Sequence, residues 1–165
     1  MKTKERIYIA YGSNMDFKQM EYRCPDAIFM GVGVIEDYEL LFKGSLTGSY
    51  ATIEKKKGST VPVYLWSISA RDEKSLDRYE GCPTFYYKKT LPVRVEGGSI
   101  DGMVYIMHEE RRLGIPTGQY YNVLYDGYKR FGFDTKILKN ALQKSVEGIN
   151  EEKHEWGKDR RRFHG

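Results

Sequence analysis

Five residues near the start of the chain have the types and the order needed to bind a small anion. The stretch 11–15 reads Tyr-Gly-Ser-Asn-Met, follows the apolar run 7–10 and precedes an expected helix. A strand that gives way to a helix leaves backbone N–H groups without partners, and these groups point at whatever lies above the strand end. Gly12 permits close approach of a ligand, and Ser13 or Asn14 can cap the helix or bind. We predict a pocket for a carboxylate-sized anion; the alternative is an ordinary strand–turn–helix connection.

Glu80 is the second residue whose position suggests chemistry. It lies at the carboxyl end of a short expected helix, in the sequence Leu-Asp-Arg-Tyr-Glu-Gly at 76–81. A carboxylate at that end faces the negative pole of the helix dipole, which disfavours the charged form and raises the pKa. A carboxyl group with a raised pKa is a candidate general acid or base. The alternative is a surface glutamate near a helix end.

Other familiar signatures are incomplete. Gly31 and Gly33 lack the third glycine and the strand-to-helix context of a dinucleotide fingerprint. The segment that begins at His108 lacks the second histidine of a zinc metalloprotease helix, and His154 and His164 are far from it in sequence. We therefore predict no metal site.

The elements that must position these residues are mainly strands, followed by helices. A hairpin turn is expected at Glu36-Asp37, and short helices are expected at 16–22 and from Ser69, which opens a capping-box-like sequence. Two more helices follow in the last third, the first of them ending at Gly132. Strands first and helices last favour an α+β fold with a twisted antiparallel or mixed sheet of six or seven strands, which could partly close into a barrel beside the flanking helices. The expected strands are 7–11, 27–35, 38–43, 51–56, 61–69, 86–95 and 102–107.

Length, composition and charge favour one globular domain with a polar tail. The chain has 165 residues, and no segment approaches the roughly 18 apolar residues that span a membrane. The net charge of +4 is concentrated at 158–162, so no nucleic-acid-binding face is predicted. We assign residues 1–148 to the domain and 149–165 to a charged, loosely docked tail. Reduced Cys24 and Cys82 and the lack of a signal peptide predict a soluble, cytoplasmic protein.

Taken together, Tyr-Gly-Ser-Asn at 11–14 and Glu80-Gly81 at a helix end resemble the γ-glutamylcyclotransferase family, whose superfamily includes the plant AIG2-like proteins. The resemblance covers about residues 6–145. It implies a small mixed β-barrel with a cavity at one end, an enzyme without metal or organic cofactor, and a small γ-glutamyl substrate. Further agreement comes from Ala-Thr-Ile at 51–53, Val-Tyr-Leu-Trp at 63–66, Tyr86, and Pro-Thr-Gly-Gln-Tyr at 116–120.

The resemblance also implies a reaction. A γ-glutamyl amine or γ-glutamyl amino acid cyclises through its own α-amine, and 5-oxoproline and the free amine are released. Glu80 is the implied general acid/base. The tyrosines implied to line the cavity are Tyr11, Tyr86 and Tyr120, one of which could donate to the oxyanion. The residues whose backbone N–H groups are implied to bind the α-carboxylate are Gly12, Ser13, Asn14 and Met15.

Several alternatives stay open at this level. Each tyrosine could equally serve packing, and Arg23 and Arg78 are expected to form surface salt bridges. Neither the released amine nor the oligomeric state follows from the sequence. A non-catalytic small-molecule-binding module on the same fold is the alternative function, because a fold alone does not determine activity.

Overall fold

Strands pair into a closed barrel, and helices pack around it, in the computed structural model of this chain. The structure describes the backbone of residues 5–162 and the side chains of residues 5–152. The predicted α+β class is confirmed. The strands in the described residues are β1 (Arg6–Ala10), β2 (Ile28–Lys43), β3 (Tyr50–Ile68), β4 (Tyr86–Val95) and β5 (Gly98–Met107), and the helices are α1 (Phe17–Arg23), α2 (Ala70–Tyr79), α3 (Gly118–Arg130) and α4 (Lys136–Arg162).

The barrel order is β1–β3–β2–β4–β5, and β5 closes the barrel beside β1. The β1–β5 contact is parallel and the other pairings are antiparallel, so the barrel is mixed, as predicted. Arg6 pairs with Ile68, so α2 starts beside the beginning of β1. Tyr86 pairs with Met107 at the opposite rim, where β1 ends. The α2 helix therefore carries the chain along the barrel and brings Glu80 to the rim where the stretch 11–15 begins.

The predicted number of six or seven strands is wrong, because two strands are much longer than expected. β2 runs through both predicted strands 27–35 and 38–43, and β3 runs through both 51–56 and 61–69. The expected hairpin at Glu36-Asp37 is instead a register shift within the β2–β3 ladder. Asp37 has a φ of 60° there, and its side chain accepts a hydrogen bond from the N–H of Gly58 at 2.9 Å. The chain bends through a bulge, which aspartate tolerates, and does not reverse.

The helix starts follow the capping chemistry of the sequence. The side chain of Ser69 accepts from the N–H of Asp72, whose carboxylate in turn accepts from the N–H of Ser69, so the predicted capping box at the start of α2 is confirmed. Thr117 caps α3 by accepting from the N–H of Tyr120 at 3.1 Å. Gly132 follows α3 with a φ of 70°, a conformation that favours glycine and stops the helix.

The α4 helix continues through residue 148, where the domain was expected to give way to the tail. The hydroxyl of Ser145 donates to the carbonyl of Phe42 on β2, and a Cβ at Gly148 would lie 2.8 Å from Leu113. This part of α4 therefore packs closely against the rest of the domain. In the described residues, no helix is long and apolar enough to cross a membrane. Loose docking of the tail stays a prediction. The basic side chains from which the charged tail was predicted, Lys158, Arg160, Arg161 and Arg162, lie outside the described ones.

Candidate active site

A cavity of about 330 Å³ opens at the barrel rim where β1 ends. Its size lies in the range that proteins use for small organic ligands. Most of the predicted site residues meet in it although they are far apart in sequence. Those that line it are Tyr11, Gly12, Ser13, Asn14, Glu80, Tyr86 and Tyr120.

The stretch after β1 forms a short 3-10 turn over Ser13–Met15. Some backbone N–H groups in and beside this turn donate within it, and others do not. The N–H of Met15 donates to the carbonyl of Gly12 at 3.1 Å. The N–H of Asp16 donates to the carbonyl of Ser13 at 3.0 Å. Within the described residues, no turn, loop or cap hydrogen bond uses the N–H groups of residues 12–14.

Met15 does not belong to the cavity wall, which corrects the prediction for this residue. Its side chain is fully buried, and its N–H is already bonded within the turn. The α3 helix holds it from behind: Arg130 donates to the carbonyl of Met15 at 3.0 Å, and a Cβ at Gly127 would lie 3.0 Å from the Cβ of Met15. Met15 therefore anchors the turn to α3, and residues 12–14 are the part of the turn that lines the cavity.

Arg23 contacts this turn directly, which sequence reasoning missed. Its guanidinium donates to the side-chain oxygens of Asn14 and Ser13 and lies 3.6 Å from the ring centroid of Tyr79. The surface salt bridge expected for Arg23 is wrong, because none of its described partners is a carboxylate. They are the side-chain amides of Asn14 and Gln19, the hydroxyl of Ser13 and the ring of Tyr79. The arginine places a positive charge beside the turn, where it favours a bound anion.

Glu80 is the carboxyl group of the cavity. It caps the end of α2, with its N–H bonded to the carbonyl of Leu76 at 2.8 Å, and Gly81 then turns the chain with a φ of 62°. Burial raises the pKa of Glu80 from 4.5 to about 7, and the positive charge of Arg23 opposes that rise. The raised pKa expected from the sequence is present, but its main cause is loss of solvent and not the helix dipole.

The three predicted tyrosines use their hydroxyl groups differently. Tyr11 donates to the carbonyl of Tyr105, and Tyr86 donates to the carbonyl of Ala51 at 2.9 Å. Tyr120 instead accepts a hydrogen bond from the N–H of Ala51 at 3.0 Å. Because a phenol that accepts keeps its own hydrogen, Tyr120 is the one of the three with a donor left for a ligand.

Several other lining residues were not predicted. Tyr8 accepts from the side-chain amide of Asn14 at 2.9 Å, and Tyr105 and Phe85 complete the wall. Tyr50 and Tyr79 are both about half exposed at the mouth of the cavity. In the sequence, the high tyrosine count was the one indication of these lining residues, and it did not indicate which tyrosines come together in the cavity.

The structure gives no cluster typical of a metal site. In the described residues, no group of three or more histidine, cysteine or carboxylate side chains could hold an ion. Cys24 and Cys82 are both free thiols, and neither lines the cavity. The expected lack of a cofactor stays a prediction.

Known proteins resemble this chain over most of its length. The family model described as "Gamma-glutamyl cyclotransferase, AIG2-like" matches residues 8–122. The chain is 31% identical over 145 residues to a gamma-glutamylcyclotransferase of Bos taurus, covering 81% of this chain and 75% of that one. It is 32% identical over 136 residues to a gamma-glutamylcyclotransferase of Homo sapiens, covering 76% and 71%. A solved structure named "Gamma-glutamyl cyclotransferase" superimposes with a TM-score of 0.75 at 26% identity, covering 84% of this chain and 86% of that one. The chain therefore belongs to the gamma-glutamyl cyclotransferase, AIG2-like family, which is a family of enzymes.

Proposed function

We propose that this protein converts a γ-glutamyl amine or γ-glutamyl amino acid to 5-oxoproline and the free amine. The observation that carries the proposal is a carboxyl group, Glu80, with a pKa raised to about 7, in a cavity that residues 12–14 also line. The family to which the chain belongs supports the reaction type.

Glu80 would move the protons of this reaction. The α-amine of the substrate is protonated at neutral pH and attacks only after it loses a proton, which the Glu80 carboxylate accepts. The amine nitrogen then forms a bond to the γ-carbonyl carbon, and the bond from that carbon to the leaving nitrogen breaks. The proton on Glu80 goes to the leaving nitrogen. The second proton that the attacking nitrogen loses as the lactam forms also passes through Glu80 to the released amine, so the carboxylate ends as it began. A carboxyl group with a pKa near 7 performs both steps at neutral pH.

The turn after β1 would bind the α-carboxylate of the substrate. The N–H groups of Gly12, Ser13 and Asn14 carry no backbone hydrogen bond among the turn, loop and cap bonds of the described residues. Arg23 adds a nearby positive charge, and it also orients the side chain of Asn14. Backbone N–H groups held in this way bind an anion without needing to rearrange.

Tyr120 would donate to the oxygen that develops negative charge on the γ-carbonyl. Its hydroxyl is held by the N–H of Ala51, which leaves the phenol hydrogen for the ligand. Preorganised donors of this kind contribute on the order of 10²–10³ in rate. Because ring closure is intramolecular, a cavity that holds one folded conformer of the substrate supplies much of the remaining acceleration.

Mass spectrometry of 5-oxoproline tests the proposal. Purified protein is incubated with a panel of γ-glutamyl amines and γ-glutamyl amino acids, and we expect product from at least one of them. In Glu80→Gln, product formation should fall by about 10²–10⁴ while the circular dichroism spectrum is retained. Glu96→Gln, in an exposed turn between β4 and β5, should match the wild type.

A lack of 5-oxoproline in this assay would contradict the proposal. If no γ-glutamyl compound of the panel is cyclised by the folded protein, the proposed reaction is wrong. Calorimetric binding of such a compound without any product would then support a small-molecule-binding module on the same fold.

A further inference from the structure

Tyr105 connects the helix that ends at Glu80 to the barrel strand beneath the cavity. The residue lies on β5, is buried and lines the cavity. Its hydroxyl donates a hydrogen bond to Oδ1 of Asp77 at 2.5 Å. Asp77 belongs to the last turn of α2, and Glu80 caps that same turn. The hydrogen bond therefore joins the core of the barrel to the segment that presents the catalytic carboxyl group.

The other ties between α2 and its surroundings are weaker at this end. The buried residues of the helix are Asp72 and Leu76, and Asp72 holds the opposite end, near Ser69. Lys88 on β4 pairs with Asp77 at 3.2 Å, but the two side chains are 30% and 33% exposed. An ion pair with that exposure contributes little. Tyr79, in the same turn, contacts the stretch after β1 through the hydroxyl of Ser13 at 3.3 Å and through the guanidinium of Arg23. The part-buried hydrogen bond from Tyr105 is the shortest polar contact between this turn and a barrel strand.

Tyr105 also contacts the other half of the site. Its backbone carbonyl accepts the hydroxyl hydrogen of Tyr11, at the start of the ligand-binding stretch. Its ring packs edge-on against Tyr8, with the ring centroids 5.9 Å apart. Tyr8 in turn accepts a hydrogen bond from the side chain of Asn14. Tyr105 therefore contacts both the wall that would bind the carboxylate and the helix that carries the acid/base group.

We propose that Tyr105 is a positioning residue for Glu80: its hydrogen bond to Asp77 fixes the last turn of α2 so that the Glu80 carboxyl group stays inside the cavity. The inference rests on the proposed function, because it assigns Tyr105 to the proton-transfer step. Tyr105 acts through Asp77 and takes no proton itself. Helix ends fray when their tertiary contacts are lost, so removal of the hydroxyl lets the carboxyl group move toward solvent.

The pKa of Glu80 reports this movement. Burial is what raises it, so a carboxyl group that reaches solvent has a pKa closer to its ordinary value of 4.5. A variant that only loses overall stability keeps the native pKa in its folded fraction. The titratable groups that interact with Glu80 from the elements around it are Arg23, Tyr8, Tyr11, Tyr86, Tyr120 and Cys82.

Tyr105→Phe with Tyr87→Phe as its matched control tests the inference. Tyr87 lies on the neighbouring strand β4, and its hydroxyl bonds to the carboxylate of Glu109 away from the cavity. In Tyr105→Phe we expect kcat to fall on the order of 10²-fold with KM nearly unchanged, because the proton acceptor is misplaced while the carboxylate site is intact. The acid limb of the pH profile, and the carbon-13 NMR titration of the Glu80 carboxyl group, should move to lower pH. Tyr87→Phe should resemble the wild type in all four measurements.

Two further variants keep the test decisive if Tyr105→Phe does not fold. Asp77→Leu removes the oxygen that accepts from Tyr105, so its kcat should fall about as far as is expected for Tyr105→Phe. Lys88→Met removes only the exposed ion pair and should leave kcat within about twofold of wild type. Equal kcat in Asp77→Leu and Lys88→Met overturns the inference.

Other outcomes also overturn it. A Tyr105→Phe protein that matches Tyr87→Phe in kcat and in the Glu80 titration shows that the hydrogen bond does not position Glu80. A loss confined to KM places Tyr105 in substrate binding. If the wild type forms no 5-oxoproline, the proposed function fails, but the Glu80 titration in Tyr105→Phe still decides whether Tyr105 holds the carboxyl group.

Discussion

The hydroxyl of Tyr120 accepts a hydrogen bond from the backbone N–H of Ala51 at 3.0 Å, so its own hydrogen is left for a ligand, whereas those of Tyr11 and Tyr86 are bonded to backbone carbonyls. Tyr120→Phe should therefore lower kcat by about 10²-fold, since an oxyanion donor is lost, while KM changes much less. Steady-state kinetics with the best substrate of the γ-glutamyl panel measures both. Tyr125→Phe, an exposed position on the same helix, is the matched control and should behave as wild type. Equal kcat in the two variants would contradict the role of Tyr120.

Glu80→Gln, which we expect to remove activity, should nevertheless stabilise the protein at alkaline pH. Burial raises the pKa of Glu80 from 4.5 to about 7, so the unfolded chain ionises this group first as pH rises. The free energy of unfolding that Glu80 contributes is therefore intact below pH 4.5 and is lost as pH rises to about 7. With about 1.4 kcal/mol for each pKa unit, the loss is on the order of 3 kcal/mol.

Urea unfolding at pH 4 and pH 8 measures this effect. The stability of Glu80→Gln relative to wild type should increase by roughly 3 kcal/mol between the two pH values. Glu96→Gln, which changes an exposed carboxyl group, is the control measured in parallel. A Glu80→Gln protein without this pH dependence would show that Glu80 is not desolvated.

Arg23→Gln should move the acid limb of kcat/KM to higher pH. The positive charge of Arg23 lowers the pKa of Glu80, so its removal lets burial raise that pKa further. The active carboxylate form is then reached only at higher pH. The pH profile of Arg71→Gln, an exposed arginine that pairs with Asp26, should be that of the wild type. A shift of the Arg23→Gln limb to lower pH would refute the electrostatic coupling.

Local chemistry in the sequence was enough to predict the two halves of the site. The turn at 11–14 and the capping box at Ser69 depend on residues close together in the chain, and both are present. The helix that ends at Glu80 was predictable for the same reason. Its pKa was predicted in direction, but the cause, burial against a barrel rim, is a tertiary property.

The failures concern contacts that no local pattern encodes. Glu36 and Asp37 suit a hairpin turn and a bulge equally well, and the choice is made by β3, which pairs with both halves of β2. Tyr105 is 28 residues from Asp77 and 94 from Tyr11, so its two hydrogen bonds exist only once the barrel closes. Met15 was expected to face the ligand with its neighbours, but the 3-10 turn directs it to the core.

Arg78 should favour substrates whose released amine carries a carboxylate. It lines the cavity at its exposed mouth, beside the half-exposed Tyr79. A cation at that point attracts an anionic leaving group and repels a cationic one. γ-Glutamyl-alanine should therefore have a higher kcat/KM than γ-glutamyl-ethylamine, and Arg78→Gln should remove most of the difference. An unchanged ratio in Arg78→Gln, with Arg71→Gln measured in parallel, would show that another residue selects the leaving group.

Gly12→Ala should lower activity by crowding the hydroxyl of Tyr120. A Cβ at residue 12 would lie 3.2 Å from that oxygen, which is closer than ordinary van der Waals contact, so the phenol must move by a few tenths of an ångström and its hydrogen bond to Ala51 is disturbed. We expect kcat to fall by roughly 10-fold or more in Gly12→Ala, and not in Gly98→Ala, where a Cβ meets nothing within 4 Å. In a Tyr120→Phe background the oxygen that the new methyl group meets is gone, so the same Gly12→Ala change should cost much less. If the fold-changes in kcat of the two single variants simply multiply in the double variant, Gly12 acts independently of Tyr120.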